Sequence, residues 1–251
     1  MKLHKLNLKK NFKIKNLCLC IGNFDGIHKG HQFVIKKIIK HSRDFKMKSA
    51  IMTFNPHPKI FFKNNDGVFN IITSDYKKLF LNSLGIQNYI EYSFNKTLSN
   101  LSAIEFIEKV LVKQLNVKKI IVGNDFRFGK NRSGDTKLLK LLSYKYNYKL
   151  ISISHIKNNK TNLKLSSSSI RENIENGKFE KVSEALGRSW QISGRVIKGK
   201  QKARLINFPT ANIRPGNQIY PKKGVYCVNV LFNRQKFKGI ANFGERPTVH
   251  G

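Results

Sequence analysis

The stretch IGNFDGIHKGH, residues 21–31, decides how the rest of the chain is read. It leaves a short apolar run, NLCLCIG, that reads as a buried strand, and enters HQFVIKKIIK, where Phe33, Val34, Ile35, Ile38 and Ile39 mark one face of a helix. His28 then falls just before that helix and His31 about one turn inside it, on a shared face. Free backbone N–H groups and the positive end of the helix dipole make such a place suited to an anion. Gly30 removes a side chain between the two imidazoles, and Gly22 and Gly26 permit a tight turn. Hydrogen-bond donors aimed at a charged transition state contribute about 3–4 kcal/mol each.

Working outward, strand-like and helix-like segments alternate. SAIMTFNPHP reads as a strand ending in a Pro-x-Pro loop, and TSDYKKLFLNSLGI as a helix capped by Thr73 or Ser74 and stopped at Gly85. NYIEYSF reads as a strand. SAIEFIEKVLVKQLN is a helix with Ser102 and Glu105 at capping-box spacing. VKKIIVGNDFRFG runs from strand into glycine loop, GDTKLLKLLSYKYN is a helix with Asp135 as a candidate cap, and YKLISIS is a strand. This order calls for an α/β domain with a parallel sheet and its ligand at the carboxyl ends of the strands. RENIENGKFEKVSEALGR is helical with a break at Gly177. From about residue 186 the pattern becomes short β-type runs between Gly, Pro and Asn turns, as expected of a small antiparallel, barrel-like domain. The domains are placed at 1–185 and 186–251. The first residues, MKLHKLNLKKNFKIK, read as a lead-in to the first strand.

The chain has 251 residues and a formal net charge of +34. Its lysines are scattered, with no block of basic residues, so the charge is read as a field that attracts polyphosphates rather than as a specific nucleic-acid site. No apolar run approaches the roughly 20 residues a membrane span needs, and a cytoplasmic protein is expected, with no membrane partner. Cys18 and Cys20 lie two apart in a strand and share a face; their spacing to His28 and His31 fits none of the usual zinc patterns, and buried apolar thiols are the expectation.

GNFDGIHKGH resembles the Gly-x-Phe-Asp-x-x-His-x-Gly-His motif of HxGH nucleotidyltransferases, a group that includes cytidylyltransferases. TFNPHP (53–58), VGNDFRFGKNRSGD (122–135) and SSSSIRENIENGK (166–178) resemble three further segments of bacterial FAD synthetases. ALGRSWQISGRVIKGKQKARLINFPTANI and YPKKGVYCV resemble the riboflavin kinase module fused behind them. The resemblance implies a Rossmann-like nucleotidyltransferase domain, then an incomplete antiparallel β-barrel. It implies adenylyl transfer from ATP to FMN, phosphorylation of riboflavin as a second activity, and Mg²⁺ as cofactor.

Carried over position by position, His28 and His31 hold ATP phosphates and Arg171 clamps the departing pyrophosphate. Gly22, Asn23, Phe24, Asp25 and Gly30 form the ATP-side turn, with Ser167 and Ser168 donating to phosphate; Ser168 stands where the family usually has Thr. Asn55, Pro56 and Pro58 border the flavin pocket, and Asp125 and Arg127 line the cleft with Gly123 and Phe126. In the second module, Thr210 and Asn212 help hold Mg²⁺ and ATP phosphates, beside Gly199, Lys200 and Arg204. Ala203 and Asn207 replace glycines common in the family. The sequence ends before the family's general-base glutamate, so kinase activity is expected to be impaired. Small-molecule substrates are the expected partners. The competing readings are another acceptor, of cytidylyltransferase or pantetheine-phosphate adenylyltransferase type, which PHP and PTAN argue against, and a basic RNA-binding protein.

Overall fold

The computed structural model describes residues 1–12, 14–63, 68–154, 165–198, 210–233 and 235–244. Gly199, Lys200, Ala203, Arg204 and Asn207 lie outside them.

Six strands form one parallel sheet: β1 (Lys2–Leu6), β2 (Leu17–Ile21), β3 (Lys48–Asn55), β4 (Asn88–Ser93), β5 (Val117–Gly123) and β6 (Lys149–Ile153), in the order β1-β4-β3-β2-β5-β6. From β2 the chain moves outward through β3 and β4, then returns to place β5 on the other side of β2. The carboxyl ends of β2 and β5 therefore flank the point where strand order reverses, the usual crevice for ligands in such sheets. Every residue of β2 is buried, as a strand covered on both faces requires. Leu17, Leu19 and Ile21 join one apolar cluster, whereas Cys18 and Cys20 join the other with Ile35, Ile38 and Ile51.

Helix α1 (Lys29–Asp44) follows the quoted stretch with His28 as its N-cap. After β3 comes a short helix, α2 (Pro58–Lys63), where a Pro-x-Pro loop was expected. Pro58 occupies a first-turn position at which its missing N–H costs nothing, and Ile60 and Phe61 donate to the His57 carbonyl. Helix α3 (Ser74–Ser83) is capped by the Thr73 hydroxyl, and Gly85 takes φ +93° just beyond it. The short helix α4 (Lys96–Ser99) precedes α5 (Ala103–Glu105), whose Ser102–Glu105 capping box forms as expected. From Phe106 to Gln114 that helix widens into a π-helix instead of continuing as α, which still keeps Phe106, Ile107, Val110 and Leu111 buried. Asp135 caps α6 (Thr136–Lys145). The polar stretch after β6 forms α7 (Ser167–Glu175) and α8 (Phe179–Leu186), parted at Gly177 with φ +71°.

The first residues are not a lead-in. They form β1, which pairs with β4 from Lys2↔Asn88 to Leu6↔Tyr92. Of its five residues Leu6 alone is buried, and His4 bonds Asn88, so an edge strand is hidden in a Lys-rich run. In the C-terminal region, β7 (Arg195–Ile197) pairs with β8 (Asn212–Arg214), and β9 (Gly224–Phe232) with β10 (Gln235–Phe243), both antiparallel. The described residues contain these antiparallel pairs and no closed barrel. Among them, no helix is long and apolar enough to cross a membrane.

Candidate active site

The site grows from the turn between β2 and α1. Phe24 and Ile27 both have left-handed backbones (φ +49° and +41°) although neither is glycine, and Gly26 lies between them at +81°. Left-handed non-glycine residues cost about 1–3 kcal/mol each and persist only where the surroundings hold them. Here the surroundings hold the carbonyls. Lys77 Nζ donates to Asn23 O at 3.0 Å, Ser167 Oγ to Asp25 O at 2.9 Å, and Arg188 Nη2 to Gly26 O at 2.6 Å. Ile27 O accepts from Gln32 Nε2 at 2.9 Å and Arg188 Nη1 at 3.2 Å. In a trans peptide the N–H points opposite to the C=O, so the N–H groups of Phe24, Gly26 and His28 turn away from these anchors. The N–H of Ile27 is spent on Phe24 O.

The carboxylate of buried Asp25 faces the fold rather than the solvent. It accepts from Ile71 N at 3.0 and 3.1 Å and from Arg171 Nη2 at 2.6 Å. Arg171 also donates from Nε to Phe69 O at 2.9 Å and lies 3.7 Å over the Phe69 ring. Of the five N–H groups of a guanidinium, two are used by these bonds.

His28 Nδ1 accepts from His31 N at 3.3 Å, capping α1, and the two imidazoles stack at 3.7 Å. An accepting Nδ1 places the ring proton of neutral His28 on Nε2. Burial pushes the His28 pKa down from 6.5 to about 4, with Asp25 opposing and Arg188 adding to the shift. Burial also pushes His31 well below its ordinary value, helped by His28 and Lys77. Both rings are neutral near pH 7. The His31 Nδ1 and Asn23 Oδ1 atoms are buried with no partner among the described residues.

The other sequence-predicted residues divide into those at this turn and those further out. Gly22, Asn23, Phe24, Asp25, Gly30, Ser167 and Arg171 gather with the histidines. The hydroxyl of Ser167 is spent on Asp25 O, and Ser168 is exposed on the first turn of α7. Asn55, Pro56 and Pro58 lie at the carboxyl end of β3, where His57 packs on Phe69 with ring centroids 4.9 Å apart. Burial pushes His57 down to about 4, opposed by Asp25 and aided by Arg171, which places this imidazole within the field of the site. Asp125 and Arg127 follow β5; Arg127 Nη1 is paired with Asp135 at 3.1 Å. Thr210 is exposed, and Asn212 begins β8. Lys77, Gln32 and residues 69–71 belong to the site but carry no motif, and Arg188 lies in the stretch that resembles the riboflavin kinase module, where nothing in the sequence points it to this turn.

Comparison with known proteins gives this geometry a context. Residues 11–169 match the family model of FAD synthetase, and residues 186–251 that of riboflavin kinase. The chain is 39% identical over 243 residues to the bifunctional riboflavin kinase/FMN adenylyltransferase of Buchnera aphidicola subsp. Schizaphis graminum, covering 96% of this chain and 77% of that one. It is 34% identical to the protein of that name from Escherichia coli strain K12, covering 93% and 74%. The chain belongs to the bifunctional riboflavin kinase/FMN adenylyltransferase family. A crystal structure described as a macrolide-efflux protein from Streptococcus pneumoniae is also similar, at TM-score 0.84 and 28% identity over 99% of this chain and 81% of that one. As a member of this enzyme family, the chain carries a FAD synthetase domain ahead of a riboflavin kinase domain.

Proposed function

We propose that the turn around Asp25 and the stacked histidines transfer the adenylyl group of ATP to FMN, giving FAD and pyrophosphate. A phosphate oxygen of FMN attacks the α-phosphorus of ATP, the bond from that phosphorus to the oxygen shared with the β-phosphate breaks, and pyrophosphate leaves with the bonding pair. No protein nucleophile is required, so the contribution of the chain is positioning and charge stabilisation. The observation that carries this reading is the pinning of the carbonyls of Asn23, Asp25, Gly26 and Ile27 in the turn that leads into α1, next to the stacked imidazoles of His28 and His31. In this reading neutral His28 and His31 donate N–H bonds to ATP phosphates, and the unused N–H groups of Arg171 meet the departing pyrophosphate. Gly30 lets a phosphate approach, and Ser168 adds a hydroxyl. Asn55, Pro56 and Pro58 border the flavin, with Asp125 and Arg127 on the far side of the cleft.

The donors around Asp25 are imidazole, ammonium, guanidinium and N–H, which suit a polyphosphate rather than a bare cation. No group of three His, Cys, Asp or Glu side chains among the described residues could hold a metal. Mg²⁺ is therefore proposed to be held there by the substrate phosphates, where it would neutralise charge. In the second module the hydroxyl of Thr210 and the carboxamide oxygen of Asn212 are hard oxygen donors of the class Mg²⁺ takes. That module, residues 186–251, is proposed to phosphorylate riboflavin.

Purified 251-residue chain, given Mg–ATP with either FMN or riboflavin and analysed by chromatography, tests both steps. FAD from FMN supports the first, and its absence overturns it. The riboflavin arm decides whether these residues include all that the kinase step needs.

A further inference from the structure

The strip of residues 69–71 is held from two directions. On one side lies the site: Ile71 N donates to Asp25, and Phe69 O accepts from Arg171. On the other lies chain from the riboflavin kinase segment. Phe69 N and Asn70 N donate to Asn217 O at 3.1 and 3.0 Å, and Ile219 N donates to Asn70 O at 2.9 Å. Ile71 O accepts from Trp190 Nε1 at 2.8 Å and from Gln218 Nε2 at 3.3 Å. Gln218 is 1% exposed, and its amide is fully engaged: Nε2 also donates to Gln191 O at 3.0 Å, and Oε1 accepts from Ser193 N at 2.8 Å. The Trp190 ring stacks on Phe179 at 5.7 Å, so its N–H is fixed in direction.

We propose that Gln218 and Trp190, residues of the second module, are positioning residues for adenylyl transfer in the first. They fix the carbonyl of the same residue whose N–H fixes Asp25, and through Asp25 and Phe69 they set the direction of Arg171. The inference rests on the adenylyl-transfer reading of the site. Neither side chain touches substrate. Their effect passes through a strip with little freedom, because its polar groups are shared between the two modules. Misplacing a catalytic group by about 1 Å from a distance can cost about a hundredfold in rate, and a slackened strip acts on Arg171 in that way.

The test uses the whole chain and a double-mutant cycle on FAD formation. Gln218→Leu keeps bulk and removes the amide; Trp190→Phe keeps the stacked ring and removes one N–H. Both are combined with Arg171→Lys, which replaces the two nitrogens that bond Asp25 and Phe69 O by one and removes the planar fork. Each single variant is expected to lower kcat about tenfold with a smaller change in KM, and to add less than about threefold on the Arg171→Lys background. A purely structural role would lower the melting temperature, leave kcat of the folded fraction unchanged, or multiply fully in the double variants; any of these last two results overturns the proposal. If Gln218→Leu does not fold, Trp190→Phe carries the cycle. If the unaltered chain makes no FAD, the functional reading fails by itself. The same cycle is then read as affinity for a non-hydrolysable ATP analogue by calorimetry, where coupled losses support the positioning role and additive or absent ones overturn it.

Discussion

The imidazole of His28 lies over that of His31 at 3.7 Å, tilted by 19°, while its Nδ1 caps the helix on which His31 sits. One side chain thus does two things: it terminates the helix and it presents Nε2–H. The roles separate by substitution. Asn is among the best N-caps, whereas Ala at that position costs about 1 kcal/mol. His28→Asn is expected to keep the melting temperature near that of the unaltered chain and to lower kcat for FAD formation about a hundredfold or more. His28→Ala should lose both. Thermal melts beside initial rates check this, and full activity in His28→Asn would remove the imidazole from the mechanism.

Gly30 offers a sharper version of the same argument. A Cβ there would meet Cε1 and Nδ1 of His28 at 3.0 Å. Within a helix, Gly→Ala ordinarily stabilises by about 1 kcal/mol. The gain is offset where the displaced His28 Nδ1 weakens the cap it gives His31 N, so Gly30→Ala is expected to change the melting temperature little while pushing the His28 ring off its neighbour. Adenylyl transfer should fall about tenfold or more, in line with a displaced donor. Undiminished activity would show that the stacked arrangement is not needed.

The low pKa values of the site histidines give an acid limb of known sign. An imidazole whose pKa is depressed in the folded state binds more protons unfolded than folded between its two pKa values, so stability rises with pH across that window. For His28 and His57 the window runs from about 4 up to the ordinary 6.5. Above 6.5 no cost remains; below about 4 it is complete. Denaturant unfolding at pH 7.5, 6 and 5 should show falling stability as the unfolded chain takes up the protons, whereas FAD synthesis by the folded chain should be lost only as the pH nears about 4, where His28 Nδ1 is protonated and loses its bond from His31 N. ATP brings negative charge to the ring, so saturating ATP should raise the His28 pKa, read from its imidazole NMR shifts. Stability flat between pH 7.5 and 5 would mean that these rings are not buried as described.

Much of this site was legible because the chemistry sits in short local motifs. His28, His31, Gly30 and Asp25 lie within a single turn, and their spacing fixes their geometry once β2 and α1 are recognised. The helix caps Thr73, Ser102 and Asp135 were legible for the same reason. Long-range partners were not. That Lys77 from α3 and Arg188 beyond α8 anchor carbonyls of one turn follows from packing, which sequence spacing does not encode. Strand β1 was hidden because an edge strand needs only one buried residue here, Leu6, and its lysines read as a solvated lead-in. Helix α2 was hidden by the habit of reading two prolines as a loop, although Pro58 at a helix start is favourable. The π-helix after Glu105 has the same apolar spacing as an ordinary helix would.

Arg188 sits in the segment matched by the riboflavin kinase family, yet its guanidinium serves the turn of the other module. It donates to Gly26 O, Ile27 O and Leu186 O, and lies 4.3 Å over the Phe80 ring. A lysine has a single donor nitrogen and no planar fork, so Arg188→Lys loses the geometry by which Nη1 and Nη2 reach different carbonyls. Loss of hydrogen bonds from a charged donor costs about 1.5–3 kcal/mol each when the partners stay buried. Arg188→Lys is expected to destabilise the chain by about 2 kcal/mol and to raise KM for ATP, because the turn at Gly26 and Ile27 that leads into His28 loses its anchor. Riboflavin binding, measured by fluorescence quenching, should change less than ATP affinity does. An equal loss of both would place the residue in general stability, whereas a selective loss at ATP ties it to the turn.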